Sequence, residues 1–284
     1  MVINSQKVKF GRVISAYITL ILTIIIMSLS FSVLASDIKI RALTSSFPPL
    51  QIFKDEQADG YTVNVIKSVV NKINQKDQEA ITVDFEFLPW KRALRIATSN
   101  RPNILFFSLS RSPEREDQFH WIGHISRYDM HLFSLDEKLL HNIQSLDAIK
   151  ASQRVIGVQD GSNVEEYLLS LKFIKDTDYI TFSDYREGIR MLYRHRVDYI
   201  PMTSFLARGN VCVENLEPDL LIKGMRLNQV SESLWLVFSK STSAKLIQRF
   251  SHALNVFNDN DEHKVNIQLQ TNRWTDQVCN KEKL

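Results

Sequence analysis

The sequence predicts an α/β protein of two lobes, each a mostly parallel sheet flanked by helices. Short apolar runs alternate with stretches whose apolar residues recur at three and four, and this alternation occurs in both halves of the chain. Ile104 to Phe107 is a continuous apolar run, the kind hidden in a sheet covered on both faces rather than the in-and-out pattern of a half-exposed strand. Once a leader of 35 residues is set aside, 249 of the 284 residues remain, enough for one large domain or two lobes of ordinary size.

Residues 1–35 read as an export signal. Lys7, Lys9 and Arg12 precede an almost uncharged run from Val13 to Leu34, and Val33-Leu34-Ala35 supplies a small-residue cleavage site before Ser36. Left uncut, the run is long enough to anchor the chain, since about twenty apolar residues span a bilayer. No cysteine lies near the cut to carry a lipid. The leader holds three basic and no acidic residues, so the rest of the chain carries 32 of each sign. That balance asks for no nucleic-acid partner. Of the chain's two cysteines, Cys212 and Cys279, neither has a second cysteine or a histidine at metal-ligand spacing. In an oxidising envelope a bridge between them is favoured over two free thiols. If the lobes move, such a bridge must sit near the hinge or within one lobe.

Along the chain, Ile38, Ile40 and Ala42 alternate with Lys39 and Arg41 in a first strand. Thr44-Ser45-Ser46-Phe47-Pro48-Pro49 then forms a stiff loop, because two prolines remove ladder donors. After the Asp59-Gly60 turn, Tyr61 to Ile73 has helical periodicity. Ile81, Val83, Phe85 and Phe87 alternate as a second strand, and Trp90 to Ala97 reads as a helix. Ile104 to Leu109 is the third strand. Ser108, Ser110 and Ser112 follow at every second position, and Pro113-Glu114-Arg115 suits the first turn of a helix. Hydroxyls and a guanidinium at the end of a buried strand can hold a carboxylate, although the same residues also suit a solvated loop.

Phe119 to Ile122 and Tyr128 to Leu135 are strand-like and mark the first crossing between lobes. His120 and His124 fall in this strand and loop stretch, where spacing of four does not make a metal pair. The second lobe is expected to hold a short helix from Ser145, a strand from Val155 to Val158 and a helix reaching Leu171. The turn Gln159-Asp160-Gly161-Ser162-Asn163 lies between those last two. Backbone amides at such a helix start form an anion site, and Ser162 or Asn163 can also cap the helix itself. Tyr179 to Phe182 is a strand, Asp184 to Arg194 a helix, and Val197 to Met202 the next strand. Leu220 to Leu227 reads as a further strand, and Leu234 to Phe238 as the second crossing. Helices from Ala244 to Phe257 and onward to about Thr271 close the chain. The expected divisions are residues 36–128 and 233–284 for the first lobe and tail, and 129–232 for the second lobe.

Several of these segments resemble those of the bacterial periplasmic solute-binding proteins of the polar amino acid type, family 3. Ser108-Leu109-Ser110 with Ser112-Pro113-Glu114-Arg115 looks like that family's segment for the ligand's carboxylate, with Ser110 and Arg115 as its usual ligands. Val155-Ile156-Gly157-Val158-Gln159-Asp160-Gly161-Ser162 is similar to its second-lobe contact to the same group. Phe47 stands where the family places an aromatic ring over the ligand. Gly60 to Val65, Pro89 to Leu94 and Arg196 to Asp198 also resemble family segments, with His195 where glycine is usual. The resemblance covers essentially the whole chain after the leader and implies the type II two-lobed fold, closing by a hinge.

It further implies Phe47, Ser108, Ser110, Arg115, Ser162, Asn163 and Thr203 as ligand-binding residues. One departure stands out. Thr203 falls where the family usually has an acid for the ligand's ammonium, and a second such acid falls near Thr44. A buried ammonium without an anion is costly. The partners implied are a small carboxylate-bearing solute and either a membrane ABC permease or a membrane sensor. A periplasmic monomer with no cofactor is expected. An enzyme on the same fold, dehydratase-like, would need an acid or base in the cleft. Glu165, Glu166 and Asp198 qualify only by location, and each reads better as a solvated or structural carboxylate. No nucleophile or phosphate-cradling motif occurs.

Overall fold

The computed structural model describes residues 37–280 apart from Gln78, Asn142, Gln144 and residues 259–261, so the expected export signal lies outside the described residues. In the first lobe, β1 (Ile38–Thr44) pairs in parallel with β4 (Ile81–Phe87) and β5 (Ile104–Ser110). β12 (Ser233–Ser239) and β6 (Phe119–Arg127) extend this sheet in the order β4-β1-β5-β12-β6, with β12 antiparallel to both its neighbours. Every residue of β5 is buried, which is why its sequence reads as a run and not as an alternation. On one face Leu43, Phe106 and Leu109 pack on Trp90, Ala93 and Ala97 of α2 (Trp90–Ala97). On the other, Ile40, Ala42, Leu105 and Phe107 share a core with α1 (Tyr61–Asn74). The hairpin of β2 (Ile52–Lys54) and β3 (Gln57–Asp59) was not expected, because three-residue strands with largely exposed side chains carry no readable period.

In the second lobe β7 (Met130–Ser134) lies between β10 (Ile200–Thr203) and β11 (Ile222–Arg226), antiparallel to both. β8 (Ile156–Gln159) and β9 (Tyr179–Phe182) pair in parallel, and a parallel bridge from Ile156 to Tyr199 joins them to the strand that becomes β10. The helices here are α3 (Glu137–His141), α4 (Leu146–Ala151), α5 (Asn163–Ser170), α6 (Tyr185–Tyr193) and α7 (Ser204–Val213). Sequence reading placed α4, α5 and α6 but passed over α3, which is one turn long, and α7. The latter begins on Ser204 directly after β10, with no loop between them to announce it.

Two of the chain's passages between the sheets are at Tyr128–Asp129 and at Ser231–Glu232. The two passages lie side by side: the Tyr128 amide donates to Glu232 O at 2.7 Å and the Leu227 amide to Met130 O at 2.8 Å. After β12, α8 (Ala244–Asn258) returns to the first lobe, where Phe250 packs against Phe238. The last helix, α9 (Glu262–Cys279), then crosses to the second lobe and lies along α7. Its Trp274 ring sits so close to Gly209 that a Cβ there would fall 2.2 Å from it. Cys279 is disulfide-bonded to Cys212, with Cα atoms 5.0 Å apart. This docking carries the helix past Thr271, where the apolar period in the sequence fades. Among the described residues no helix is long and apolar enough to cross a membrane.

Candidate functional site

Four parallel strands, β1, β4, β5 and β8, end towards the same cleft, and the segment after each strand contributes a wall, as expected at the carboxyl ends of α/β sheets. After β1 comes the loop bearing Phe47; after β4, Trp90. β5 itself bulges at Ser108: Leu236 of β12 faces Phe107 while Trp235 faces Leu109, so Ser108 has no partner in the ladder. Ser108 has φ +62°, a left-handed conformation that costs a residue with a Cβ. Its hydroxyl is thereby aimed at Gln51, donating to Oε1 at 2.8 Å.

Beyond Ser110 the chain makes a 3-10 turn, Pro113–Gln118, in place of the α-helical start expected there. The turn folds Arg115 back beneath the strand end, leaving the side chain 1% exposed. All five guanidinium N–H groups have acceptors. Nη1 donates to Ser110 O at 3.3 Å and to Ser110 Oγ at 3.1 Å. Nη2 donates to Gly161 O at 3.1 Å and to Glu166 Oε1 at 2.8 Å, and Nε to the same Glu166 oxygen at 3.2 Å. Ser112 Oγ also reaches Glu166, at 3.5 Å. Burial pushes the Glu166 carboxyl above its ordinary value, against the pull of Arg115 beside it. The pair is not a deep electrostatic well, because desolvation offsets much of the attraction.

The second-lobe turn differs from expectation in what it offers. The Ser162 amide donates to Gln159 O at 3.0 Å, and Ser162 Oγ caps α5 by accepting from the Glu165 amide at 3.2 Å. The Gly161 amide is taken by Glu165 Oε2 at 2.6 Å. Two of the amides expected to meet an anion are thus spent inside the turn. Instead the turn presents a carbonyl: Gly161 O accepts from Arg115 and, at 3.0 Å, from Trp90 Nε1. Gly161 has φ +74°, so the turn needs its glycine. Lys91 pairs with Asp160 at 2.9 Å, and Phe47 stacks on Tyr185 with ring centroids 5.6 Å apart. These contacts join the two lobes, and the cleft is shut.

Phe47, Ser108, Ser110, Ser162 and Asn163 come together around one narrow space of about 30 Å³, with Ser45, Ser46, Gln51, Trp90, Tyr128, Gln159, Tyr185 and Leu234 completing the wall. Its volume would suit one or two waters. Arg115 lies behind that wall, reaching it through Ser110. No wall side chain is ionised: burial pushes the Tyr128 hydroxyl up to about 12 and raises that of Tyr185 well above its usual value. Asn163 accepts from Tyr128 at 3.4 Å and donates to Val230 O at 3.3 Å. Thr203 is elsewhere, buried at the start of α7 with its hydroxyl on Met130 Sδ at 3.5 Å. Thr44 accepts from Gln51 Nε2 at 3.1 Å.

Glu165 and Asp198 have structural engagements, Glu165 on the Gly161 amide and Asp198 on the Val155 amide at 2.8 Å. Among the described residues no cluster of metal-binding side chains occurs. Sequence reading missed Trp90, Tyr128, Tyr185 and Gln51 as site residues, and took Glu166, placed in the cleft only by location, for a solvated or structural carboxylate. Trp90 and Tyr185 were legible by one rule not applied to them, since each follows the carboxyl end of a parallel strand.

Against known proteins, no family model and no curated protein matches the sequence. Solved structures match in fold. A histidine kinase sensor domain with similarity to periplasmic binding proteins superposes with a TM-score of 0.68 at 14% identity, over 81% of this chain and 94% of that one. The chain has the two-lobed periplasmic-binding-protein fold. An amino acid ABC transporter substrate-binding protein from Streptococcus pneumoniae, bound to L-arginine, gives a TM-score of 0.67 at 17% identity, over 84% and 95% of the two chains. An ancestral arginine-binding protein bound to glutamine gives 0.62 at 17% identity, over 86% and 96%.

Proposed function

We propose that the chain is an extracytoplasmic solute-binding protein that captures a small, amino-acid-like carboxylate between its lobes and delivers it to an ABC importer. Residues 36–128 with β12 and α8 form one lobe, and residues 129–232 the other. The observation that carries this reading is the buried guanidinium of Arg115, which already grips a carboxylate using two of its N–H groups. That carboxylate comes from the opposite lobe, so the grip depends on closure. An arginine fork to a carboxylate fixes orientation as well as affinity. The rest of the solute would face Phe47, Trp90, Tyr128 and Tyr185, whose rings suit an apolar body or, through their faces, a cationic one. The export signal expected at residues 1–35 supports a periplasmic location, where we expect a monomer with no cofactor, and the even charge balance gives no reason to invoke nucleic acid.

A second reading has one specific observation in its favour. The sensor-domain superposition covers 94% of that domain, and presenting a closed, liganded body to a membrane sensor needs the same site. An enzymatic reading has less behind it, because Glu165 and Asp198 are bound to backbone amides.

The experiment is a thermal-shift screen of amino acids, small carboxylates and amines on the protein lacking residues 1–35. A solute that binds only the folded form raises the melting temperature. For any carboxylate hit, Arg115→Ala should abolish the rise while a cooperative melt persists. A rise of the same size in that variant removes Arg115 from the site, and turnover of a hit to a new product moves the reading to an enzyme.

A further inference from the structure

We propose that Glu166 is an internal stand-in for the solute: its carboxylate occupies Arg115 in the empty protein, holds the lobes together, and must be displaced for a solute to bind. This rests on the reading of Arg115 as the carboxylate site. The five N–H groups of Arg115 are all engaged, so none is free for an incoming anion. Two of the five bonds go to Ser110, which cannot leave without unfolding the strand end, and one to the Gly161 carbonyl, which is fixed in its turn and leaves only with the whole opposite lobe. The other two go to a side chain on the first turns of α5 that is 31% exposed. Only Glu166 can exchange.

Space leads to the same conclusion. The narrow space beside Arg115, about 30 Å³, is too small for an amino acid. An outer cavity of about 340 Å³ adjoins it, with Asn163 lining both and Glu166 lining the outer one. Glu166 lines the outer cavity and Ser110, which Arg115 holds, lines the inner one, so the ion pair lies beside both. Rotation of Glu166 away from Arg115 into the outer cavity frees two converging donors at the same moment.

Displaced, Glu166 also answers the missing acid. Neither Thr44 nor Thr203 can neutralise an ammonium, and both are committed to other contacts. A zwitterion inserted between Arg115 and Glu166 puts its carboxylate on the first and its ammonium beside the second. One ion pair becomes two, with no net charge added to the cleft. A bare carboxylate would leave Glu166 facing no cation. Glu166 therefore selects for solutes that carry both charges.

The first test needs no solute. Protein stripped of bound molecules by unfolding and dialysis is measured by small-angle scattering, as wild type, Glu166→Ala and Glu166→Gln. Removing the carboxylate leaves Arg115 a buried cation without a counter-charge when the lobes are shut, so both variants should have a larger radius of gyration than wild type. Acetate, supplied at constant ionic strength, should return Glu166→Ala to the wild-type radius, acetamide should not, and wild type should respond to neither. Variants as compact as wild type overturn the proposal, as does an expanded Glu166→Ala that ignores acetate. A matched pair then tests the second role. L-alanine should raise the melting temperature of wild type more than propionate does, and Glu166→Ala should lose or reverse that preference. The same order in both proteins, or no response to either compound in Glu166→Ala, overturns that role. Failure of these tests leaves the solute-binding reading to the screen above, which uses wild type and Arg115→Ala.

Discussion

Ser108 is the residue at which the site's geometry costs the fold most. A serine at φ +62° within β5 is held there by the bulge against β12 and by its bond to Gln51. Replacing it tests whether the conformation or the hydroxyl matters. Ser108→Gly and Ser108→Ala both lose the bond, but only glycine is at ease with that φ. Chemical denaturation should find the glycine variant more stable than the alanine variant by about 1 kcal/mol. Equal stabilities would mean that the backbone relaxes at no cost. Serine at every second position was visible in the sequence, and so was Arg115. The left-handed conformation was not, because it arises from a mismatch between two strands far apart in the chain. Glu166 was hidden for a different reason. A helix residue after a capped turn looks solvated, and only the juxtaposition of the two lobes shows that it reaches Arg115.

At the scale of elements, the strands and helices that sequence reading found are those with a strong period or a capping residue. β1, β4, β5 and β9 and helices α1, α2 and α6 fall within a residue or two of expectation. The elements it missed lack such signals: the exposed β2–β3 hairpin and α7, which follows its strand without a break. The length of α9 was also misjudged, because its last two turns are specified by tertiary contact. Trp274 lies against Gly209 of α7, and the space between them is less than a methyl group requires. Gly209→Ala therefore forces the ring away, at a cost of roughly 1–3 kcal/mol for overpacking. Calorimetry of the oxidised protein should record a lower melting temperature, and an unchanged one would show that α9 can shift without penalty.

Over the whole molecule, the chain order builds a two-lobed body with two of its passages side by side and α9 laid from the first lobe to the second. The Cys212–Cys279 bridge closes a loop spanning 67 residues. Loop-closure entropy makes such a bridge worth roughly 4 kcal/mol. Replacing both cysteines with serine should lower stability to unfolding by about that amount, and a loss near zero would mean that α9 is fixed by packing alone. The two-lobed plan itself was legible, since it rests on two successive strand-helix alternations. The state of the cleft was not, because closure depends on contacts such as Trp90 to Gly161 and Arg115 to Glu166 that only the folded lobes create.

Recognition of a carboxylate by Arg115 is the point on which the functional reading turns, and titration calorimetry tests it directly. A solute identified by the screen is compared with its carboxamide, which has the same shape and no negative charge. Loss of a charged partner from a buried guanidinium should weaken binding of the amide by roughly a hundredfold or more. Acid and amide binding with equal affinity would contradict it.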